Sequence, residues 1–118
     1  MKINSNLITS EYNLITDGSP IKTGRKIDGK DEYVVKVNAG SGPNNTNKQI
    51  QFNTSNMIIT DYYVIGISNN NETIYAPNSA TGNNYFNIFF SNNEINLSTN
   101  QDRSRFTCYV YIFYINIT

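Results

Sequence analysis

An all-β fold is what this sequence predicts, and three observations predict it. Short runs rich in β-branched and aromatic residues recur along the chain, separated by clusters of Asn, Gly, Ser and Thr. No window places apolar residues at i, i+3, i+4 and i+7 behind a capping box, so helix signals are nearly absent. The length suits one domain with an ordinary core. Together these predict an antiparallel β-sandwich, jelly-roll or immunoglobulin-like in type, of about seven to eight strands.

Residues 1–20 are polar, weakly patterned and end in the turn "DGSP". They read as an N-terminal arm or docking segment, leaving residues 21–118 as the sandwich. "EYVVKV", Glu32 to Val37, is a β-branched strand. "KQIQF", Lys48 to Phe52, alternates, with Ile50 and Phe52 on one face. "MIITDYYVIGIS", Met57 to Ser68, is longer and apolar on both faces. "TIYAP", Thr73 to Pro77, is short and closed by proline, which fits a sheet edge. "YFNIFF", Tyr85 to Phe90, and "EINLS", Glu94 to Ser98, flank "SNN", a three-residue hairpin signal. "RFTCYVYIFYINI", Arg105 to Ile117, is the longest strand.

Composition narrows the function classes. Nine basic and nine acidic residues cancel, which leaves no electrostatic footprint for nucleic acid or an anionic membrane. Histidine is absent, and with it the commonest general base and metal ligand. No metal or other cofactor is implied. The single cysteine, Cys108, forms no intrachain disulfide and reads as a small core hydrophobe. No secretory signal and no apolar run of the roughly 20 residues a membrane span needs is visible. The chain therefore reads as made in a cytoplasm. Asparagine supplies 21 residues, so its five N-x-[ST] matches are expected by chance and read as incidental. Asp61, Glu72 and Glu94 are scattered, no spacing pairs them, and no nucleophile elbow, phosphate loop or calcium loop appears. Asp61, set among apolar residues, reads as a strand residue satisfied locally. The chain reads as a non-enzyme.

Eight of the 18 charged residues fall between Lys22 and Lys36. There "IDGK", Ile27 to Lys30, leads to Tyr33, then to Gly40, Pro43 and Asn44, and then to Lys48. Further on come Val64 to Gly66, Ile74 to Pro77, and a closing set of Asp102, Arg103, Ser104, Phe106, Cys108 to Val110 and Tyr114. In this order the residues resemble a small β-domain that recurs in bacteriophage tail-fibre and baseplate proteins. Two positions depart from it: Gly42 stands where the family usually has leucine, and "IYAP" lacks the first proline of a "PlP" segment. The resemblance covers roughly residues 21–118. It implies a non-enzymatic virion module, usually trimeric, found in the virion and in the host cytoplasm during assembly. The N-terminal arm would then meet other virion proteins. A length short for a whole fibre raises a capsid-attached head-fibre or decoration role as the alternative. A stand-alone lectin-like module is the alternative of another class.

Three groups of residues carry the functional expectations. Arg25, Lys26, Asp28 and Lys30 form a charged edge, either a solvated turn that resists unwanted pairing or a docking surface. Asn69, Asn70, Asn71, Tyr75, Asn83 and Asn84 are candidates to contact a host-surface glycan, through amides and a tyrosine ring; Tyr62 and Tyr85 are further tyrosines of this kind. The alternative is that these asparagines make turns and the tyrosines pack. In the last strand, Tyr109, Tyr111, Phe113, Ile115 and Ile117 form a second apolar face. A two-layer fold leaves an outer face wet, so an apolar one predicts a subunit interface, a homotrimer by the resemblance.

Overall fold

The computed structural model describes residues 17–77 and 85–117. They form eight strands: β1 Ile21–Ile27, β2 Lys30–Ser41, β3 Asn47–Gln51, β4 Met57–Ser68, β5 Thr73–Ala76, β6 Phe86–Ser91, β7 Glu94–Thr99 and β8 Phe106–Asn116. These make two antiparallel sheets, five-stranded β1-β2-β8-β4-β5 and three-stranded β3-β7-β6. The fold is the expected antiparallel β-sandwich. Of the expected arm, residues 1–16 lie outside the described residues. Residues 17–20 are exposed, and the Gly18 N–H donates to the Lys36 carbonyl at 2.8 Å.

Most strands match the apolar runs, and the differences have local causes. β1 is hidden in the sequence because "IKTGRKI" carries three cations and a glycine. It pairs with β2 through Ile21↔Val34 and Ile27↔Lys30, and its register shifts between Lys22 and Lys26. Gly24 lies in this irregular stretch with φ 87°, a backbone that glycine adopts without strain. β2 runs past "EYVVKV" to Ser41, with Ala39 buried. The β6–β7 hairpin has a two-residue turn, not three. Ser91 pairs with Glu94, and Asn92 and Asn93 have φ of 52° and 60°. Two positive φ values match a type I′ turn, whose twist suits a hairpin.

The described residues fall into two compact units. Residues 17–37, 56–62 and 111–117 belong to the first, and residues 38–55, 63–77 and 85–110 to the second, so β2, β4 and β8 contribute to both. In the first unit Val34, Val35, Tyr111, Ile112 and Ile115 are buried, and the rings of Tyr33 and Tyr114 stack 5.7 Å apart. In the second unit Val64, Ala76, Phe106, Cys108 and Val110 of the larger sheet are buried, as are Phe86, Ile88, Ile95 and Leu97 of the smaller. Gly66 permits close packing there. A β-carbon on it would sit 2.8 Å from Ile74 Cγ1 and 3.2 Å from Phe106 Cβ. Cys108 is buried among these residues, and burial pushes its thiol up to about 11 against a small opposing pull from Lys48.

The second face of β8 does not stand open, contrary to the premise of the interface expectation. Tyr111 and Ile115 are 3% and 4% exposed in the single chain, and Tyr109 and Phe113 are half-buried. β8 is the central strand of five, with β2 along one edge and β4 along the other. Only Ile117 of the five expected interface residues is exposed, at 47%.

Candidate functional site

The charged hairpin comes first. Asp28 and Gly29, with φ of 52° and 76°, form the two-residue turn between the paired Ile27 and Lys30. Behind the turn the charges are matched. Lys26 and Lys22 reach Asp31 at 2.9 and 3.3 Å. Hydrogen bonds from Lys26 and then Lys22 hold the Asp31 carboxyl below its ordinary range. Both lysines are mostly exposed, so these pairs are worth little.

Glu32 differs, because its side chain is only 3% exposed. Four donors surround the carboxylate. Arg25 Nε donates to Oε1 at 3.0 Å and Nη2 to Oε2 at 2.6 Å. Thr23 Oγ1 donates to Oε1 at 3.0 Å, and Thr60 Oγ1 to Oε2 at 2.6 Å. Burial alone raises the pKa of Glu32. The bonds from Arg25, Thr60 and Thr23, with the Arg25 charge, outweigh it and hold the carboxyl below its ordinary value. Thr23 and Arg25 lie on β1, and Thr60 lies on β4, beyond β8 in the sheet. The cluster therefore ties strands that are not neighbours. Of the expected docking edge, Arg25 and Lys26 are engaged within the chain, while Asp28 and Lys30 stand exposed at the turn.

The second site is a polar recess of about 530 Å³ in the second unit. Its wall combines Ser68, Asn69 and Asn70 from the β4–β5 turn with Ser104, Arg105 and Thr107 from the start of β8; Ser41 completes it. The turn is built on buried Ser68. Its backbone N–H donates to the Glu72 carbonyl at 3.0 Å, and its hydroxyl accepts from the N–H groups of Asn70 and Glu72 at 3.2 and 3.1 Å. Asn71 closes the turn with φ 62°. Glu72 Oε1 in turn accepts from Arg105 Nε at 3.3 Å, and the Arg105 guanidinium lies 4.4 Å from the Phe106 ring centre.

The expected glycan residues thus divide. Asn69 and Asn70 line the recess, and Asn71 shapes the turn beside it. Tyr75 is 57% exposed on β5, paired with Ile65, and does not line the recess. Asn83 and Asn84 lie outside the described residues. Tyr62 is exposed on β4 and Tyr85 is half-buried before β6. Asp61 is exposed and accepts the N–H of its neighbour Tyr62 at 2.8 Å. Sequence reasoning missed Ser41, Ser104, Arg105 and Thr107. The polar run "NQDRSR" before the last strand was the available signal, but it reads as an ordinary turn without the fold to set it beside Asn69.

The two ends of the resemblance also meet. The Gly42 N–H donates to the Phe106 carbonyl at 2.9 Å, the Arg103 N–H donates to the Pro43 carbonyl at 2.9 Å, and Asn44 forms a bridge with Asp102. A β-carbon on Gly42 would lie 2.4 Å from the Arg103 carbonyl oxygen. In this backbone position 42 has no room for a side chain. Asp102 accepts from the Ser104 hydroxyl and N–H at 2.5 and 2.9 Å, and these bonds hold its carboxyl below the usual range.

Among the described residues no group of three or more His, Cys, Asp or Glu side chains is placed to hold a metal ion. No protein-family model, curated protein or solved structure matches the chain. The chemistry available at the recess is hydrogen bonding and one cation, which suits recognition of a polar ligand.

Proposed function

We propose that the chain is a non-enzymatic structural module of a bacteriophage virion, of tail-fibre or baseplate type. It assembles as a homotrimer and presents loops to host-surface saccharide. One observation carries the reading. The residues behind the resemblance are framework residues: Asp28 and Gly29 make the first hairpin turn, and the Gly40 to Asn44 loop docks on Asp102 to Phe106. In this chain those positions hold the sandwich together, which supports reading it as a module that keeps an architecture and varies what it presents. Within the first unit the surface best suited to a subunit contact is the exposed pair Ile58 and Ile117. Ile117 is tied to that end by donating its N–H to the Asn56 carbonyl at 2.9 Å.

Mass spectrometry of purified particles, with light scattering of the purified chain, tests this. The chain should co-purify with particles in multiples of three, and Ile117→Asp should lower the solution mass without unfolding the monomer. Absence from particles overturns the virion role, and a monomeric wild type overturns the assembly.

A further inference from the structure

We propose that the recess of the second unit binds an acidic saccharide, with Arg105 as the anchor for its anionic group. Position is the first argument. Arg105 touches two partners, Nε lying 3.3 Å from Glu72 Oε1 and the guanidinium 4.4 Å from the Phe106 ring centre, on an exposed surface where the ion pair alone contributes little. Its two terminal nitrogens have no partner among the described residues. A guanidinium turned by these contacts offers an end-on fork that matches a carboxylate or sulfate in plane and spacing. The Glu72 backbone is tied to Ser68, and the Ser68 hydroxyl donates to the same Glu72 Oε1 at 3.4 Å.

The rest of the wall is the second argument. The side-chain amides of Asn69 and Asn70 and the hydroxyl of Thr107 have no partner among the described residues, and all three line the recess. They offer the mixed donors and acceptors that sugar hydroxyls require. No carboxylate lines the wall itself, but two stand just behind it, Glu72 on Arg105 Nε and Asp102 on the Ser104 hydroxyl, so the anion must be met by the free end of Arg105. A second cation stands close by: Lys48 Nζ lies 2.7 Å from the carbonyl oxygen of Ser41, a wall residue. No aromatic ring lines the recess either, so a nucleobase finds no stacking platform. The recess, about 530 Å³, is polar and open to solvent. The inference rests on the attachment reading only for where the ligand is met; binding itself is read in solution, without particles.

The test is a nitrogen-edited NMR titration of the full chain with matched probes. These are sialyllactose against lactose, trigalacturonic acid against maltotriose, and inorganic phosphate alone. Sialyllactose or trigalacturonic acid should shift the signals of Asn69, Asn70 and the Arg105 Nε–H at millimolar concentration. Their neutral counterparts should not. Arg105→Gln should weaken binding at least roughly tenfold, the loss of one charge-assisted contact. Asn70→Ala, which leaves the Arg105–Glu72 pair intact, should weaken it severalfold at unchanged melting temperature. Equal binding of lactose or maltotriose overturns the acidic assignment. Phosphate giving the full effect of the acidic sugars reduces the site to an anion site and overturns the saccharide. No shift at these residues with either acidic sugar overturns the site altogether.

Discussion

Thr60→Val isolates the contact that reaches across the five-stranded sheet. Valine matches threonine in shape and in strand preference, so only the hydroxyl is lost. That hydroxyl donates to Glu32 Oε2 at 2.6 Å, to a carboxylate whose side chain is 3% exposed. A hydrogen bond to a charged group contributes about 1.5–3 kcal/mol net. Arg25 and Thr23 remain on the carboxylate, so the variant weakens its solvation without leaving it bare. A loss of about 2 kcal/mol follows. For a domain of this size that corresponds to a fall in melting temperature of roughly 6–12 °C.

Acid gives the control. The Glu32 pKa lies below its ordinary value of 4.5 in the folded chain. The stability tied to its ionised form is therefore present above about pH 4.5 and lost as pH falls through the folded value. Urea unfolding of wild type and Thr60→Val should differ fully at neutral pH, and much less below the folded pKa, where the acceptor is a neutral acid. A double-mutant cycle with Glu32→Gln should show coupling of at least about 1 kcal/mol at neutral pH. A Thr60→Val cost under about 0.5 kcal/mol, the ordinary surface range, or a cost that does not change with pH, would refute the reasoning.

Gly42→Ala puts a methyl group 2.4 Å from the Arg103 carbonyl oxygen, so the loop must shift off β8. Thermal unfolding should show a loss of about 1–3 kcal/mol, typical of overpacking, whereas Gly18→Ala, at an open position, should show only backbone strain. Cys108, with its thiol pushed up to about 11, should stay unreacted with a thiol reagent in the native chain at pH 8 and react once urea unfolds it.

The strands were legible because they are long relative to their turns. Met57 to Ser68 is bounded in the structure where its apolar run is bounded in the sequence. β1 was not, because an edge strand with one covered face tolerates Lys22, Arg25 and Lys26 and shows no apolar run. The charged stretch itself concealed two fates. Asp31 and Glu32 are neighbours in sequence, but alternation along β2 sends Asp31 to exposed lysines and Glu32 into a buried cluster. Periodicity gives the two faces, and only the pairing with β1 and the reach of Thr60 tell which face is closed. β8 misled for the complementary reason. Two apolar faces suggested an open one, yet Tyr111 and Ile115 are buried in the single chain. Arg105 was out of reach for any local pattern, since its neighbours Asn69 and Glu72 stand more than thirty positions away.

Asparagine, so abundant here, serves two ends, and the backbone separates them. Five of the six described non-glycine residues with positive φ are asparagines: Asn45, Asn56, Asn71, Asn92 and Asn93. Asparagine enters the left-handed region more readily than any β-branched residue, so a chain with many of them closes tight turns with few glycines. In those positions the side chain is a by-product of the turn. Asn93 even spends its amide oxygen on Thr54, accepting its N–H and hydroxyl at 3.1 and 3.0 Å. Asn69 and Asn70 are different. Neither needs a left-handed backbone, because Asn71 supplies it for the same turn. Ser68 satisfies the local N–H groups, so neither amide side chain is required to cap the turn. Both line the recess beside Arg105. A run of three asparagines thus divides into one that makes the turn and two that the turn presents. The two it presents set the recess apart from the other polar loops of this asparagine-rich chain.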